Sequence, residues 1–210
     1  MRSKVAGYPR LFLAIPLSGE TRTYFQELGA QLQPLFSRNR VKWTAPENLH
    51  LTLHYFGKVS VEEYAVIEAI ADRVLSTCPR FVLSFDKSVV FPSLDRPRLI
   101  ACEIETNKTL ESLVADLRLE LTQAGQPTAT RPFRGHVTLG RFRDLPTSRC
   151  RGENVRGPRQ HMAAIEERLP CKTGPAMSVG DVVLCNSATG IDGAVYEVVK
   201  HWRLGALSSP

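Results

Sequence analysis

Two short motifs contain the residues best suited to chemistry. Each motif reads histidine, aliphatic residue, threonine, leucine, which pairs His50 with Thr52 and His136 with Thr138. Each lies in an apolar run that predicts a strand. Because successive side chains of a strand point to opposite faces, the histidine and threonine share one face, while the aliphatic residues point into the core. A rise of roughly 3.3 Å per residue places imidazole and hydroxyl about 7 Å apart along the strand.

An imidazole and a hydroxyl at that spacing can hold one phosphate group. If the two strands face each other across a cleft, one histidine can deprotonate an attacking water and the other can protonate the leaving oxygen. Histidine suits both tasks, because its ordinary pKa of about 6.5 lets both protonation states coexist near neutral pH. The threonine hydroxyls can donate to the non-bridging oxygens as charge develops. A strained 2′,3′-cyclic phosphodiester with a tethered leaving oxygen suits such a site, and in principle no metal is required.

Other residues could contribute to the same surface. Arg141 could supply a cation, but its odd spacing from the second histidine places it on the motif face only if the strand bulges. His54 shares the parity of the first histidine and could line the cleft, although a structural role is favoured. Trp43 could stack on a base, whereas core packing is the favoured role for Phe56. Eight arginines lie between residues 131 and 159, and the part of this stretch beyond Asp144 is either a solvated loop or a binding surface.

The elements that must position these motifs follow from local patterns. Ser18, the Ser60–Glu63 capping box and Asn107 predict three helix starts, and Gly125 predicts the end of the third helix. Turn residues between apolar runs predict two hairpins. The predicted strands are 10–17, 49–57, 80–90, 97–105, 133–142, 177–186 and 194–203, and the predicted helices are 18–36, 60–75 and 107–124, with a possible short helix near 160–168.

Strands that alternate with helices, together with hairpins, favour an α+β fold over a doubly wound parallel sheet. The sequence also lacks the glycine-rich loops of nucleotide-binding folds. We expect one domain over residues 1–210, in which the Arg-, Pro- and Gly-rich segment 144–175 is an irregular insertion.

Composition limits the classes of partner and compartment. The net charge of +6 favours anionic partners, nucleic acid among them. The five cysteines include no CxxC pair, which argues against a structural metal site. Their number and spacing favour a reducing cytoplasm. The N-terminal segment has no long apolar stretch, which argues against a signal peptide or a membrane span.

The two motifs and their flanks resemble the 2H phosphoesterase superfamily, specifically the bacterial and archaeal RNA 2′,3′-cyclic phosphodiesterases, the LigT-like proteins first described as 2′-5′ RNA ligases. The resemblance covers most of the chain. It includes RLFLAIPL at the start, WTAPENLHLTLHYFGKV and RPFRGHVTLGR around the motifs, and YEVVKHWRL near the end.

The resemblance implies a bilobal fold in which two pseudo-symmetric mixed or antiparallel sheets are flanked by helices around a central cleft. It implies that His50 donates a proton to the O3′ leaving group and that His136 accepts one from water, leaving a 2′-phosphate. Thr52 and Thr138 match phosphate-holding positions, and Arg141 matches a basic residue after the second motif. The sequence departs from the family pattern before the second histidine, where glycine replaces the usual proline.

Metal-independent hydrolysis of RNA ends bearing a 2′,3′-cyclic phosphate is therefore the expected function, carried out by a cytoplasmic monomer without metal or cofactor. Two alternatives stay open. The same fold could act on 2′-5′-linked oligonucleotides, or join RNA ends through that linkage. A basic RNA-binding module without turnover would belong to a different class.

Overall fold

A computed structural model of the chain describes residues 9–36, 41–105, 107–143, 163–169, 174–190 and 193–205. These residues include three α-helices and ten strands, with two 3₁₀ turns at Gln33–Leu35 and Pro46–Asn48 and a further helical turn at 163–166. The helices are α1 (Gly19–Leu32), α2 (Val61–Thr77) and α3 (Lys108–Gln123). The strands are β1 (Arg10–Pro16), β2 (Val41–Trp43), β3 (His50–Lys58), β4 (Phe81–Leu83), β5 (Phe85–Phe91), β6 (Leu99–Ile104), β7 (His136–Phe142), β8 (Met177–Val179), β9 (Asp181–Gly190) and β10 (Gly193–Arg203).

Eight of the strands form one antiparallel sheet with the two motif strands at its centre. The order is β10-β9-β1-β3-β7-β6-β5, and β2 pairs with the far end of β7. The central strands β3 and β7 join at a single residue pair, Leu51 with Val137. The α+β class predicted from sequence is confirmed, and the two predicted sheets are the two halves of this one sheet.

The two halves repeat one arrangement. In the first, β1 leads into α1 and β3 then returns antiparallel to β1; in the second, β6 leads into α3 and β7 returns antiparallel to β6. Each returning strand carries one histidine motif. This repeat places the two motifs side by side, because β3 and β7 are neighbours in the sheet.

The predicted helix starts are confirmed by their caps. The Ser18 side chain accepts from the Thr21 amide, Ser60 and Glu63 form a capping box, and the Asn107 side chain accepts from the Leu110 amide. One predicted end is wrong. Helix α1 stops at Leu32 instead of continuing to residue 36, since Pro34 has no amide hydrogen and the chain tightens into a 3₁₀ turn.

Two predicted strands are each divided in the structure. The stretch 80–90 splits at Ser84 into β4, which pairs with β8, and β5, which forms the predicted hairpin with β6. The stretch 177–186 splits at Gly180 into β8 and β9, and β9 extends to Gly190 in the predicted final hairpin. The small β4–β8 sheet explains both divisions, because the chain changes sheets at these two residues.

The core lies between the sheet and the helices. The apolar stripe of α3 is buried as predicted: Leu110, Leu113, Val114, Leu117 and Leu121. The opposite face of the sheet carries a smaller cluster in which Phe12, Ala14, Val183 and Cys185 are buried and Tyr196 packs against them. The motif histidines belong to this second face. Within the described ranges, every helix is too short or too polar to span a lipid bilayer.

Most of the predicted insertion 144–175 lies outside the described residues, so its role stays a prediction. Its described part, 163–169, begins with a helical turn and packs on the core through the buried Ile165 and Leu169. The Glu166 carboxylate accepts a hydrogen bond of 2.9 Å from the Val90 amide, which fixes this part of the segment beside β5.

Three of the five cysteines, Cys78, Cys102 and Cys185, are buried free thiols. Burial raises the pKa of Cys102 to about 12 and that of Cys185 to about 11, so both stay protonated. The other two cysteines lie outside the described residues.

A close approach at Gly140 allows β2 to pair with β7, and this generates the first prediction. A Cβ atom at residue 140 would lie 2.6 Å from Val41 Cγ1 and 3.2 Å from Trp43 Cε3. We expect Gly140→Ala to lower the free energy of unfolding by about 1–3 kcal/mol through overpacking. Urea denaturation at neutral pH measures the change.

Gly19→Ala is the matched control, because a Cβ atom there meets nothing within 4 Å. Residue 19 is the first residue of α1, where alanine is at least as favourable as glycine. Equal stabilities for the two variants would contradict the close packing of β2 on β7.

Candidate active site

The first motif strand, β3, contains a β-bulge at the second leucine of its motif. Strand β1 pairs Ala14 with Thr52 and Leu13 with His54, which leaves Leu53 without a partner. A bulge inserts one extra residue and shifts the alternation of the side chains beyond it. Leu53 and His54 are accordingly both buried.

The second motif strand, β7, has its bulge at the equivalent position. Strand β6 pairs Ala101 with Thr138 and Ile100 with Gly140, which leaves Leu139 without a partner. The burial of β7 follows that of β3 residue by residue from the histidine onward. The internal symmetry therefore extends to the irregularities of the two strands.

The bulges decide which residues share the face of the histidines. Beyond them, Tyr55 and Arg141 occupy equivalent positions on that face, and both are exposed. Sequence parity places Arg141 beside the histidines only if β7 bulges, and β7 has this bulge. The parity expected for His54 is wrong: its imidazole is buried, lies 3.2 Å from the Pro127 carbonyl oxygen and packs against Phe56.

Hydrogen bonds fix the tautomer of His50. Its Nδ1 lies 2.7 Å from the Asn48 carbonyl oxygen. Because a carbonyl can only accept, Nδ1 carries the hydrogen, and in the neutral ring Nε2 carries the lone pair. The Thr52 hydroxyl lies 2.9 Å from Nε2 and can donate to it. The rings of Phe12 and Tyr196 pack against the imidazole at centroid distances of 4.9 and 5.2 Å.

His136 is held in the same way by a different neighbourhood. Its Nδ1 donates to the Arg134 carbonyl oxygen at 2.8 Å, again two residues earlier in the chain, which leaves the Nε2 lone pair free in the neutral ring. The ring of Phe91 stacks on the imidazole with a centroid distance of 4.2 Å. Thr138 is half-buried on the same face of β7.

Burial lowers the pKa of both histidines. For His50, burial is the main cause, and the charges of Arg141 and His136 lower the pKa further against the effect of the Asn48 carbonyl. For His136, burial again dominates; the hydrogen bond to the Arg134 carbonyl raises the pKa, the charges of Arg134 and Arg141 lower it, and the Glu103 carboxylate raises it. Arg141 thus acts on both imidazoles, which are mainly neutral near pH 7.

A depression of about 320 Å³ opens over β3 and its neighbours. His50, Thr52 and Arg141 are among its lining residues, while His136 and Thr138 lie across the strand junction on β7. Sequence reasoning missed the other lining residues, and only a foreseen bulge would have identified Tyr55. These other residues are Phe12, Tyr55, Ser187, Ala194 and Tyr196.

Other candidates lie away from the depression. Phe56 packs on the core as predicted, and Trp43, left open by the sequence, packs on the core beside Phe36. A larger depression of about 370 Å³ contains neither motif histidine; four carboxylates, among them Glu103 and Glu111, and two guanidinium groups line it. Over the described ranges, no three histidine, cysteine or acidic side chains are grouped to hold a metal ion.

Comparison with known proteins agrees with the fold. Residues 15–101 match the family model described as LigT like phosphoesterase. An RNA 2′,3′-cyclic phosphodiesterase of Escherichia coli is 31% identical over 62% of this chain and 70% of its own length. One of Methanothermobacter thermautotrophicus is 28% identical over 93% of this chain and 98% of its own.

Solved structures match almost the whole chain. The crystal structure of Escherichia coli LigT complexed with 3′-AMP has a TM-score of 0.69 and 25% identity, covering 94% of this chain and 98% of that one. A Thermus thermophilus protein has a TM-score of 0.71 at 23% identity over the same shares of the two chains. The fold is that of a 2H phosphoesterase. The chain belongs to the LigT-like phosphoesterase family.

The lowered pKa values generate the second prediction. In an NMR titration of the imidazole signals, we expect His50 and His136 to titrate below the ordinary value of about 6.5. The folded protein then binds fewer protons than the unfolded chain, so the free energy of unfolding should fall as pH drops from about 7 through the folded-state pKa values.

The double variant H50Q/H136Q separates these two groups from the rest of the protein. It should lose part of the pH dependence between about pH 7 and 5.5, while the buried His54, whose pKa is also lowered by burial, keeps its share. Titration of both motif histidines at or above 6.5 in the free protein would contradict the effect of burial on the two rings.

Proposed function

We propose that this protein hydrolyses the 2′,3′-cyclic phosphate at the end of RNA and leaves a 2′-phosphate. The main support for this proposal is that two imidazoles lie on one face of adjacent central strands. Each imidazole donates a hydrogen bond from Nδ1 to a carbonyl oxygen, which leaves Nε2 available for proton transfer. Relatives named RNA 2′,3′-cyclic phosphodiesterase support the substrate class. Escherichia coli LigT, solved with 3′-AMP, supports a nucleotide site.

In the proposed reaction the water oxygen attacks phosphorus while His136 Nε2 takes its proton. The bond from phosphorus to O3′ breaks, and O3′ receives a proton from His50 Nε2. Neutral His136 is ready for its task because its pKa is lowered. His50 must be protonated first, and an anionic phosphate beside the ring favours that form.

The polar neighbours hold the phosphate in this proposal. Thr52 already lies within hydrogen-bond distance of the His50 ring, so its hydroxyl can turn to a non-bridging oxygen when the imidazole is protonated. Thr138 takes the equivalent place on β7. Arg141 lines the depression and supplies the positive charge that stabilises the pentavalent transition state.

We propose further that the protein acts as a cytoplasmic monomer, without a metal or cofactor, and that residues 1–210 are one domain of two lobes carrying 144–175 as an insertion. The repeat of a strand, a helix and an antiparallel motif strand supports the two lobes. Three buried free thiols support a reducing compartment.

The paired-histidine role generates the third prediction. We expect His50→Ala and His136→Ala each to lower kcat by about 10²- to 10⁴-fold on a short RNA with a 2′,3′-cyclic phosphate, because each variant loses one proton-transfer group. The assay is run in EDTA from pH 5 to 9, where wild type should stay active with a bell-shaped profile. RNA affinity should change little.

His201→Ala is the matched control, because this exposed imidazole on β10 pairs with Asp181 and lies outside the depression. It should keep wild-type turnover. No turnover by folded wild type would refute the proposed substrate and would favour the RNA-binding alternative.

The fourth prediction concerns the charge at residue 141. Arg141→Ala should lower kcat/KM by roughly 10- to 100-fold, the usual loss for one hydrogen bond to a charged group. Arg141→Lys should recover part of the loss, since it restores the charge without the planar guanidinium. If alanine at this position left kcat/KM unchanged across the pH range, Arg141 would have no role in stabilising the phosphate.

A further inference from the structure

An ion pair beside His136 is not used by the proposed mechanism. Glu103 on β6 lies directly across the strand pair from His136. Its carboxylate forms an ion pair with Arg134, which precedes the histidine by two residues. The Arg134 guanidinium also donates to the Pro92 carbonyl oxygen at 3.1 Å and lies over the Phe91 ring, 4.7 Å from the centroid.

Phe91 connects this ion pair to the imidazole. Its ring is in contact with the guanidinium and is stacked on the His136 ring. The guanidinium is therefore held by three partners: a carboxylate, a carbonyl and an aromatic ring. These three contacts hold the Arg134 guanidinium beside Glu103, although about half of the arginine side-chain surface is exposed.

The carboxylate would otherwise oppose the role proposed for His136. Only 20% of the Glu103 side-chain surface is exposed, so water screens its charge weakly. An uncompensated negative charge beside an imidazole favours the protonated ring, which cannot accept a proton from water. His50, the proposed acid, is flanked instead by Phe12 and Tyr196.

The charged groups around His136 come from β7 and the residues just before it, from β6 and from β3. Arg134 and Arg141 belong to its own segment, Glu103 comes from β6 and His50 from β3. The contact from β5 is the uncharged ring of Phe91. Glu103 is the acidic member of this set, and Arg134 is its ion-pair partner.

We propose that Arg134 is a positioning residue for His136: it neutralises the Glu103 carboxylate that lies opposite the imidazole, and so keeps that ring in the neutral form that a general base needs. The inference rests on the proposed function for its catalytic meaning. The effect of Arg134 on the His136 pKa can be measured in the free protein.

The test is a charge cycle at residues 103 and 134, read by NMR titration of the His136 imidazole. Arg134→Gln should raise the His136 pKa by about 0.5–1 unit, because the imidazole loses the nearby guanidinium charge and Glu103 loses its partner. This shift is smaller than the 1–3 units of a close desolvated charge, since the pair is partly exposed. Glu103→Gln should lower the pKa, and the double variant R134Q/E103Q should return it close to the wild-type value.

The matched control is R73Q/E120Q. This variant removes an ion pair of the same type that joins α2 and α3, away from the motif strands, and it should leave the His136 titration unchanged. An unchanged pKa in Arg134→Gln, or shifts of the same sign in both single variants, would overturn the inference.

Turnover provides the second measurement. In kcat/KM on the cyclic phosphate RNA, the acidic limb reports the base, so Arg134→Gln should move that limb to higher pH and Glu103→Gln to lower pH. A merely structural role would lower the rate at every pH without moving the limb, and that result would count against the inference. Absence of turnover in wild type would refute the proposed function, whereas the NMR cycle would still decide the electrostatic claim.

Discussion

The structure depends on one constraint: two histidine strands must lie side by side at the centre of a sheet while presenting matching faces. A single pair, Leu51 with Val137, joins them, and both side chains are completely buried. In an antiparallel pair, residues opposite each other point to the same face. The motif histidines, one residue away on each strand, therefore share the opposite face. Burial of this pair in the core therefore places both motif histidines on the other face of the sheet.

The bulges at Leu53 and Leu139 add the second requirement of the site. A regular strand would turn residue 141 away from the histidines, because five is an odd spacing. One inserted residue restores Arg141 to their face, and the equivalent bulge in β3 brings Tyr55 there while it buries His54. A cation and an aromatic ring therefore occupy symmetric positions beside two similar imidazoles. The two halves are alike in backbone and different in side-chain chemistry.

The sequence predicts most of the helices, strands and motif residues of the site, and each wrong prediction has a physical cause. Helix starts were predicted because caps are local hydrogen bonds, and the motif strands because periodicity and side-chain types agreed. The predicted end of α1 is wrong because Pro34, which has no amide hydrogen, does not continue the α-helix. The predicted face of His54 is wrong because the bulge depends on the pairing of β3 with β1. The periodicity of one strand carries no information about its partner strand. Phe12 and Tyr196 were missed for a related reason: only the sheet order brings them to His50.

The central claim is that one phosphorus atom lies between both imidazoles. A crystal structure of the protein with a bound 2′-phosphate product tests it most directly. We expect phosphoryl oxygens about 2.6–3.2 Å from Nε2 of both His50 and His136, with the Arg141 guanidinium beside them. A phosphate held by one histidine alone, or seated away from both, would contradict the account even if the protein proved active on cyclic phosphates.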